Sequence, residues 1–320
     1  PEARLDGFSV QPMVRRPGAY ELILGLTADP QFGPVGVVGQ GGSAVEVIKD
    51  KALGLPPLNL RLASEMLSRT RIHHLLRGVA GMPAANLDAV SLALVRISQL
   101  VIELPEVAEL DVNPLLADQF GVVALDARIR VYPPGEVGSP LAIRPYPKEL
   151  EETVPLGDGR MLLLRPILPE DEPSLQQAFS RLTPEEIRLR FFVPLKTLDH
   201  VTAARFTQID YDREMALVLT EPGVAGRTAI HGVVRLIADP DNERAEYAII
   251  VSHDMTGMGL GILLMRRILD YARGRGVREV YGDVLRENRT MLKLCQVLGF
   301  TLSGVPDEPE VVRVTMRMGE

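Results

Sequence analysis

A chain that ends an apolar strand, places Gly257, Gly259 and Gly261 within one short turn and then opens an amphipathic helix has few folds open to it. Residues 245–261 read AEYAIIVSHDMTGMGLG and run on into ILLMRRILDYARGRG. The apolar, β-branched run Tyr247–Val251 predicts a strand. Leu263, Leu264, Ile268, Leu269 and Ala272 recur at helical spacing and predict a helix buried along one side. A strand, a glycine turn and a helix N-terminus make an anion seat. The glycines let backbone approach a ligand, and the first-turn N–H groups, unpaired within the helix, point at its phosphates. The ligand expected here is a pyrophosphate. Spacing excludes two familiar versions of such a site: a dinucleotide G-x-G-x-x-G needs glycine where Ile262 stands, and a P-loop needs a Gly-Lys-Ser/Thr that does not follow.

The 320 residues are enough for two cores and predict two domains. A single cysteine excludes an internal disulfide framework and fits a reducing compartment. Net charge of -7 argues against nucleic acid as the main partner, because no basic footprint is present. No apolar run is long enough to span a bilayer and no signal peptide is recognised, so the reading is a cytoplasmic protein without a membrane partner. The chain starts at Pro1, which suggests processing or a piece of something longer.

From Phe8 to about Val131, short apolar runs alternate with glycine turns. FSVQPMV, YELILGLT and VGVVG predict strands, while RLASEMLSRTRIHHLLRGV and NLDAVSLALVRISQLVIEL predict helices. VAELDVNPLLADQFGVVALDARIRV predicts a hairpin turning at Ala117–Gly121. Asp111 and Asn113 would share a face and the return strand would bring Asp126 towards them, a set of oxygen ligands that suits Mg²⁺; a solvated strand face is the competing reading. Gly39 to Ala44 imitates a dinucleotide fingerprint but reads better as a turn. His73 and His74 read as structural.

Residues 132–153 carry Pro133, Pro134, Pro140, Pro145 and Pro147 and are expected to form an extended linker. Beyond it, GDGRMLLLRPILPEDEPSLQQAFSRLT predicts a strand and an acid-opened helix. EIRLRFFVP and a helix at VTAARFTQID follow, then the antiparallel pair YDREMALVLTE and TAIHGVVRLIAD. After the central stretch come VREVYGDVL, the helix of ENRTMLKLCQVLGF, and VVRVTMRM as a last strand.

Two resemblances organise these pieces. TGMGLG resembles the Q/R-x-x-G-x-G/A coenzyme A loop of the GNAT acyltransferases, with Thr256 where Gln or Arg is usual, and ENRTMLKLCQVLGF resembles the N-x-x-A/M-x-x-L-Y/C-x-x-x-G-F ending of that family. The stretches VQPMV, YELILGLTADPQFGPVGVVGQGGSAVEV, LLRGVAGMP, ELDVNPL and ALDARIRV resemble the second half of the ATP-grasp domain of NDP-forming acyl-CoA synthetases. RFF and IDYDREMA resemble the bacterial protein lysine acetyltransferases of the Pat type, which join a synthetase-like region to a GNAT domain. The fold implied is α/β (α+β): a partial ATP-grasp second lobe over 1–131, the linker over 132–153 and a GNAT domain with a splayed mixed sheet over 154–320.

The resemblance implies acetyl-CoA, or coenzyme A, held by Thr256, Gly257, Met258, Gly259, Leu260, Gly261 and Ile262 with Asn288. Ile249, Ile250 and Val251 would line the acyl and pantetheine arm at a bulge, where one backbone N–H serves as oxyanion donor. Glu246 is implied as the base that takes the proton of an acceptor lysine, and partial burial in its strand would raise its pKa; Glu243 is the rival. Cys295 stands where the family often carries the tyrosine that protonates the leaving thiolate, and reads better as core. Asn113 and Asp126 match the residues that hold the Mg²⁺ of ATP, and Glu21 lies in the same sheet, but the first ATP-grasp lobe is missing from this sequence. The acceptor implied is a lysine on a protein, an acyl-CoA synthetase. Alternatives are a synthetase remnant that binds ATP–Mg²⁺, a non-catalytic acyl-CoA sensor, and an acetyltransferase for small amines.

Overall fold

The computed structural model describes residues 10, 12–42, 49–79, 81–136 and 138–319, and the chain divides into two compact units, Pro1–Pro145 and Tyr146–Glu320. The fingerprint-like stretch from Gly39 to Ala44 is described only as far as Gly42.

The first unit is one antiparallel sheet covered by helices. Strands β1 (Tyr20–Asp29), β2 (Gly33–Gln40), β3 (Lys51–Gly54), β4 (Val107–Asp118) and β5 (Gly121–Ala124) run in the order β3-β2-β1-β4-β5, and β6 (Ala127–Val131) pairs with β4 beside β5. Leu22 and Leu24 on β1 alternate with more exposed neighbours and meet Met66 and Leu67 of α1 (Leu60–Ser68), Leu76 of α2 (Ile72–Leu76) and Leu94 of α3 (Leu87–Glu103). Each fully buried leucine of this kind contributes about 1.5–3 kcal/mol. Asn59 and Asn86 cap α1 and α3 by accepting from Leu62 N (2.8 Å) and Ala89 N (3.0 Å).

Three expectations need correction here. The single helix predicted over RLASEMLSRTRIHHLLRGV is two, because the buried carboxylate of Asp50 accepts from Arg71 N and Ile72 N, both at 2.8 Å, and so starts a second helix. The strand predicted at FSVQPMV is absent from its described residues, Val10 and 12–14; the rest lies outside the described residues. The hairpin turns at residues 119–120, fastened by Phe120 N donating to Asp118 Oδ1 (2.8 Å), and its return strand breaks into β5 and β6 at Leu125 and Asp126.

The second unit is an eight-stranded mixed sheet in the order β13-β14-β12-β11-β10-β9-β8-β7. Its strands are β7 (Glu152–Pro155), β8 (Met161–Pro166), β9 (Glu214–Thr220), β10 (Ile230–Ala238), β11 (Arg244–Val251), β12 (Glu279–Leu285), β13 (Thr301–Val305) and β14 (Glu308–Arg317). Helices α4 (Glu172–Ser180), α5 (Pro184–Phe191) and α6 (His200–Thr207) follow β8, α7 (Leu260–Gly274) follows β11 and α8 (Arg289–Leu298) follows β12. Among the described residues only β11 and β12 pair in parallel. Leu260, Leu264, Met265, Ile268, Leu269 and Ala272 give α7 its buried stripe, as the spacing predicts, with Leu263 at its margin. Arg165 at the end of β8 donates twice to Asp171, at 2.7 Å each, and both are buried; Leu168 N also donates to that carboxylate, so the pair fixes the start of α4.

Candidate active site

The site is made by a strand that leaves its neighbour. On one side β11 pairs with β10 along its length, from Ala245 opposite Ala238 to Val251 opposite Gly232. On the other it pairs with β12 at Arg244, Ala245 and Glu246 only. Past Glu246 the backbone groups on that edge have no strand partner, as the resemblance leads one to expect of a splayed sheet. Tyr247, the first residue beyond the last pair, lays its ring over Gly282 of β12, where a Cβ would come within 2.6 Å of Tyr247 Cε1. Its ring is 5.5 Å from that of Phe300, and its hydroxyl is 3.0 Å from Cys295 Sγ.

A cleft of about 460 Å³ opens in the fork. Glu246, Tyr247, Ala248, Ile249 and Ile250 of β11 form one wall, Asp283 and Val284 of β12 with Asn288 and Met291 another, and Glu186, Leu189, Arg190, Phe191 and Phe192 a third. Of the residues proposed from sequence, the cleft therefore brings together Glu246, Ile249, Ile250 and Asn288. Val251 is half-buried against the α7 side of the core and does not line it.

Two carboxylates reach the fork and differ in their ties. Asp283 accepts from Arg313 Nε and Nη2 at 2.8 and 2.7 Å. Glu246, at the last β11–β12 pair, makes no ion pair among the described residues and is exposed, not partly buried as expected. Glu243 lies ahead of β11, outside the cleft, and pairs with Arg278 at 2.8 Å. Arg190 faces the cleft with its guanidinium 4.8 Å from the Phe191 ring centroid; burial first and the charge of Arg235 second hold its pKa down to about 10, against the pull of Glu246, so it remains a cation at neutral pH.

Beyond β11, a 3-10 turn (His253–Met255) leads into the glycine loop. Gly257 and Gly259 have φ of 85° and 78°, and a Cβ on either would meet nothing within 4 Å, so the positive φ is the reason for glycine and the space around it is open. Gly259 is the N-cap of α7, without a side-chain cap. Gly261 differs: a Cβ there would lie 3.2 Å from Leu294 Cδ1, so this glycine lets α8 approach. Leu260 is buried, Ile262 half-buried and Met258 exposed, so the first two can offer a ligand backbone only; the Thr256 hydroxyl donates to His253 O. The donor set fits a pyrophosphate. Asn288 caps α8 by accepting from Met291 N (3.1 Å), which leaves its Nδ2 amide as the group it can turn to a ligand. Cys295 is fully buried, and burial raises the pKa of its thiol and, further, that of the Tyr247 hydroxyl it meets.

In the first unit, Asn113 N donates to the backbone oxygen of Asp126 at 3.2 Å, so the two are adjacent. Asn113 Oδ1 accepts from Gly42 N (3.1 Å) and Asp126 Oδ2 is 3.5 Å from Arg128 Nε. No group of three metal-binding acids, histidines or cysteines occurs among the described residues, and two side-chain oxygens alone do not make the six-ligand shell of Mg²⁺.

The wall built from Glu186 to Phe192 has no role in the sequence reading. RFF is legible there only as a resemblance. Thr183-Pro184-Glu185-Glu186, a capping box with proline at its first helical position, marks the start of α5 and hence where that wall begins.

A mixed sheet splayed at β11 and β12, with a glycine turn leading from β11 into α7, is the GNAT architecture. A family model described as acetyltransferase (GNAT) family matches residues 184–300, and one described as ATP-grasp domain matches 1–131. An acetyltransferase of Pseudomonas aeruginosa, PA5475, is 34% identical over 155 residues, 48% of this chain and 82% of that protein. The chain belongs to the GNAT acetyltransferase family, with an ATP-grasp region ahead of the catalytic domain. That region is similar to acetate–CoA ligase (ADP-forming) I of Archaeoglobus fulgidus, 41% identical over 129 residues, 40% of this chain and 18% of the ligase. The chain thus spans under a fifth of that relative. The crystal structure of the GNAT domain of S. lividans PAT aligns with 54% of this chain and 100% of its own at 28% identity, with a TM-score of 0.49. No helix among the described residues is long and apolar enough to cross a membrane.

Proposed function

We propose that this protein transfers the acetyl group of acetyl-CoA to a lysine side chain on a protein, an acyl-CoA synthetase, by direct attack with Glu246 as general base. The observation that carries this is that β11–β12 pairing ends at Glu246, whose exposed carboxylate lines the head of a cleft on the strand that leads into the glycine loop. A lysine with a pKa of about 10.4 costs roughly 4–5 kcal/mol to deprotonate at pH 7. Glu246 accepts that proton as the amine nitrogen attacks the thioester carbon. A backbone N–H on the unpaired edge of β11 stabilises the oxyanion, and the coenzyme thiolate leaves towards solvent, because Cys295 is buried and occupied by Tyr247. The protein acceptor is supported by the Pat-type resemblance and the synthetase class by the kinship of the first unit to acyl-CoA ligases.

The test is Glu246→Gln. Transfer to a purified acyl-CoA synthetase, followed by mass spectrometry, should fall about 10²–10⁴-fold at pH 7 while calorimetry shows acetyl-CoA still bound. Unchanged transfer would remove Glu246 as the base, and binding with no turnover on any amine would favour the sensor. The contiguity of Asn113 and Asp126 supports a second reading, an ATP–Mg²⁺ site completed by a further ATP-grasp lobe; titration with ATP and Mg²⁺ tests it.

A further inference from the structure

Behind the wall of the cleft lies a second space. On β10, His231, Val233 and Arg235 point to the same side of the sheet as Ala248 and Ile250 on β11, since Val233 is opposite Ile250 and Arg235 opposite Ala248, and Ser252, just past β11, donates its N–H to His231 O at 2.8 Å. Phe179, Phe191 and Phe206 lie against the same space, a half-open, mainly apolar chamber of about 70 Å³. The chamber shares Arg190, Phe191, Ala248 and Ile250 with the cleft, and these side chains, Ala248 the smallest, form the sill between them.

One polar side chain in this chamber is unaccounted for. His231 is 6% exposed, and neither ring nitrogen has a protein hydrogen-bond partner. Glu221 Oε1 lies 3.4 Å from Nε2 but outside hydrogen-bond alignment. Arg235, equally buried, is by contrast satisfied by Glu214 and the Phe206 carbonyl. Buried polar groups are rarely left unpaired, and an imidazole can serve a ligand as both donor and acceptor.

We propose that the chamber is a subsite for the tail of the acyl group, and that it selects a short chain whose far end carries an oxygen, held by His231. The inference rests on reading the cleft as an acyl-CoA site. Where roughly 10–15 Å³ of such space admits one water, the chamber takes about five non-hydrogen atoms past the sill. An acetyl group leaves it empty. A 4-hydroxybutyryl or a succinyl group fills it and brings a hydroxyl or a carboxylate to the imidazole.

Calorimetric titration of the whole chain with coenzyme A and its acetyl, pentanoyl, 4-hydroxybutyryl and succinyl thioesters tests this without an acceptor. One or both oxygen-ended thioesters should bind at least tenfold more tightly than pentanoyl-CoA, and which of them does so tells hydroxyl from carboxylate. In His231→Leu that advantage should vanish with acetyl-CoA affinity unchanged; in His231→Gln, which keeps a donor and an acceptor, most of it should return. Thermal melting checks that the leucine variant folds, and the glutamine variant serves as the test if it does not. Oxygen-ended tails that bind no better than pentanoyl, or an advantage that survives His231→Leu, overturn the proposal and leave the acyl-CoA site standing. Failure of coenzyme A and every thioester to bind overturns both.

Discussion

Replacing Gly259 by alanine separates what the glycine loop does for the fold from what it does for the ligand. At φ 78° a Cβ costs about 1–2 kcal/mol, and the stiffer unfolded chain returns roughly 0.4–1 of that. Nothing lies within 4 Å of the new methyl, so no clash adds to the sum. The net loss is about 1 kcal/mol, a fall of roughly 2–4 °C in the melting temperature of a unit this size. For the ligand the account differs. The methyl occupies the open side at the entrance to α7, where phosphate oxygens must come within about 3 Å of the backbone N–H groups. Loss of one hydrogen bond to a charged group, about 1.5–3 kcal/mol, weakens coenzyme A binding by roughly 10–150-fold. Gly276→Ala, near the other end of the same helix, is a matched control: its φ is 74° and its surroundings are equally open. Melting and calorimetric titration of both variants should give like falls in stability and a loss of affinity in Gly259→Ala alone. Equal affinities in the two variants would refute the assignment of the loop.

Asn288→Asp should keep the cap on α8, and with it the melting temperature, while setting a carboxylate in place of the amide; coenzyme A affinity should drop at least tenfold by calorimetry. Cys295→Ala should cost about 1–3 kcal/mol in a denaturant titration, because the buried Tyr247 hydroxyl loses its partner, with turnover per folded molecule unchanged. Glu152 has its pKa lowered by hydrogen bonds from Arg267, of 2.6 and 2.8 Å, so the pair stabilises above the ordinary carboxylate value of 4.5, and that contribution disappears as pH falls through the lowered value. Solvent screening keeps it under about 1 kcal/mol, so Glu152→Gln should lower the melting temperature slightly at pH 7 and not at all in strong acid.

What the sequence reveals follows the strength of its local signals. The run from β11 through the glycine loop into α7 is legible because its periodicity changes from two to 3.6 across glycines that tolerate positive φ. Strands β3, β7 and β13 are not. The last lies at the edge of its sheet and is largely exposed, and KALG and ETVP are four residues long, so neither hydrophobic alternation nor length distinguishes them from loop. The fork itself has no signature in one strand's residues: it depends on where the register of two strands stops. The third glycine shows the same limit. Gly261 belongs to the loop pattern, yet its space is taken by Leu294, thirty-odd residues further on.

The ring of Tyr247 sits in the angle where β11 and β12 part, seated on Gly282 and tethered to Cys295. Pairing between the two strands stops one residue before this ring, which is itself part of the core. The doorway is then standing open before its visitor arrives, and capture requires no prying apart of the sheet: association should be a single fast phase, limited by encounter rather than by rearrangement.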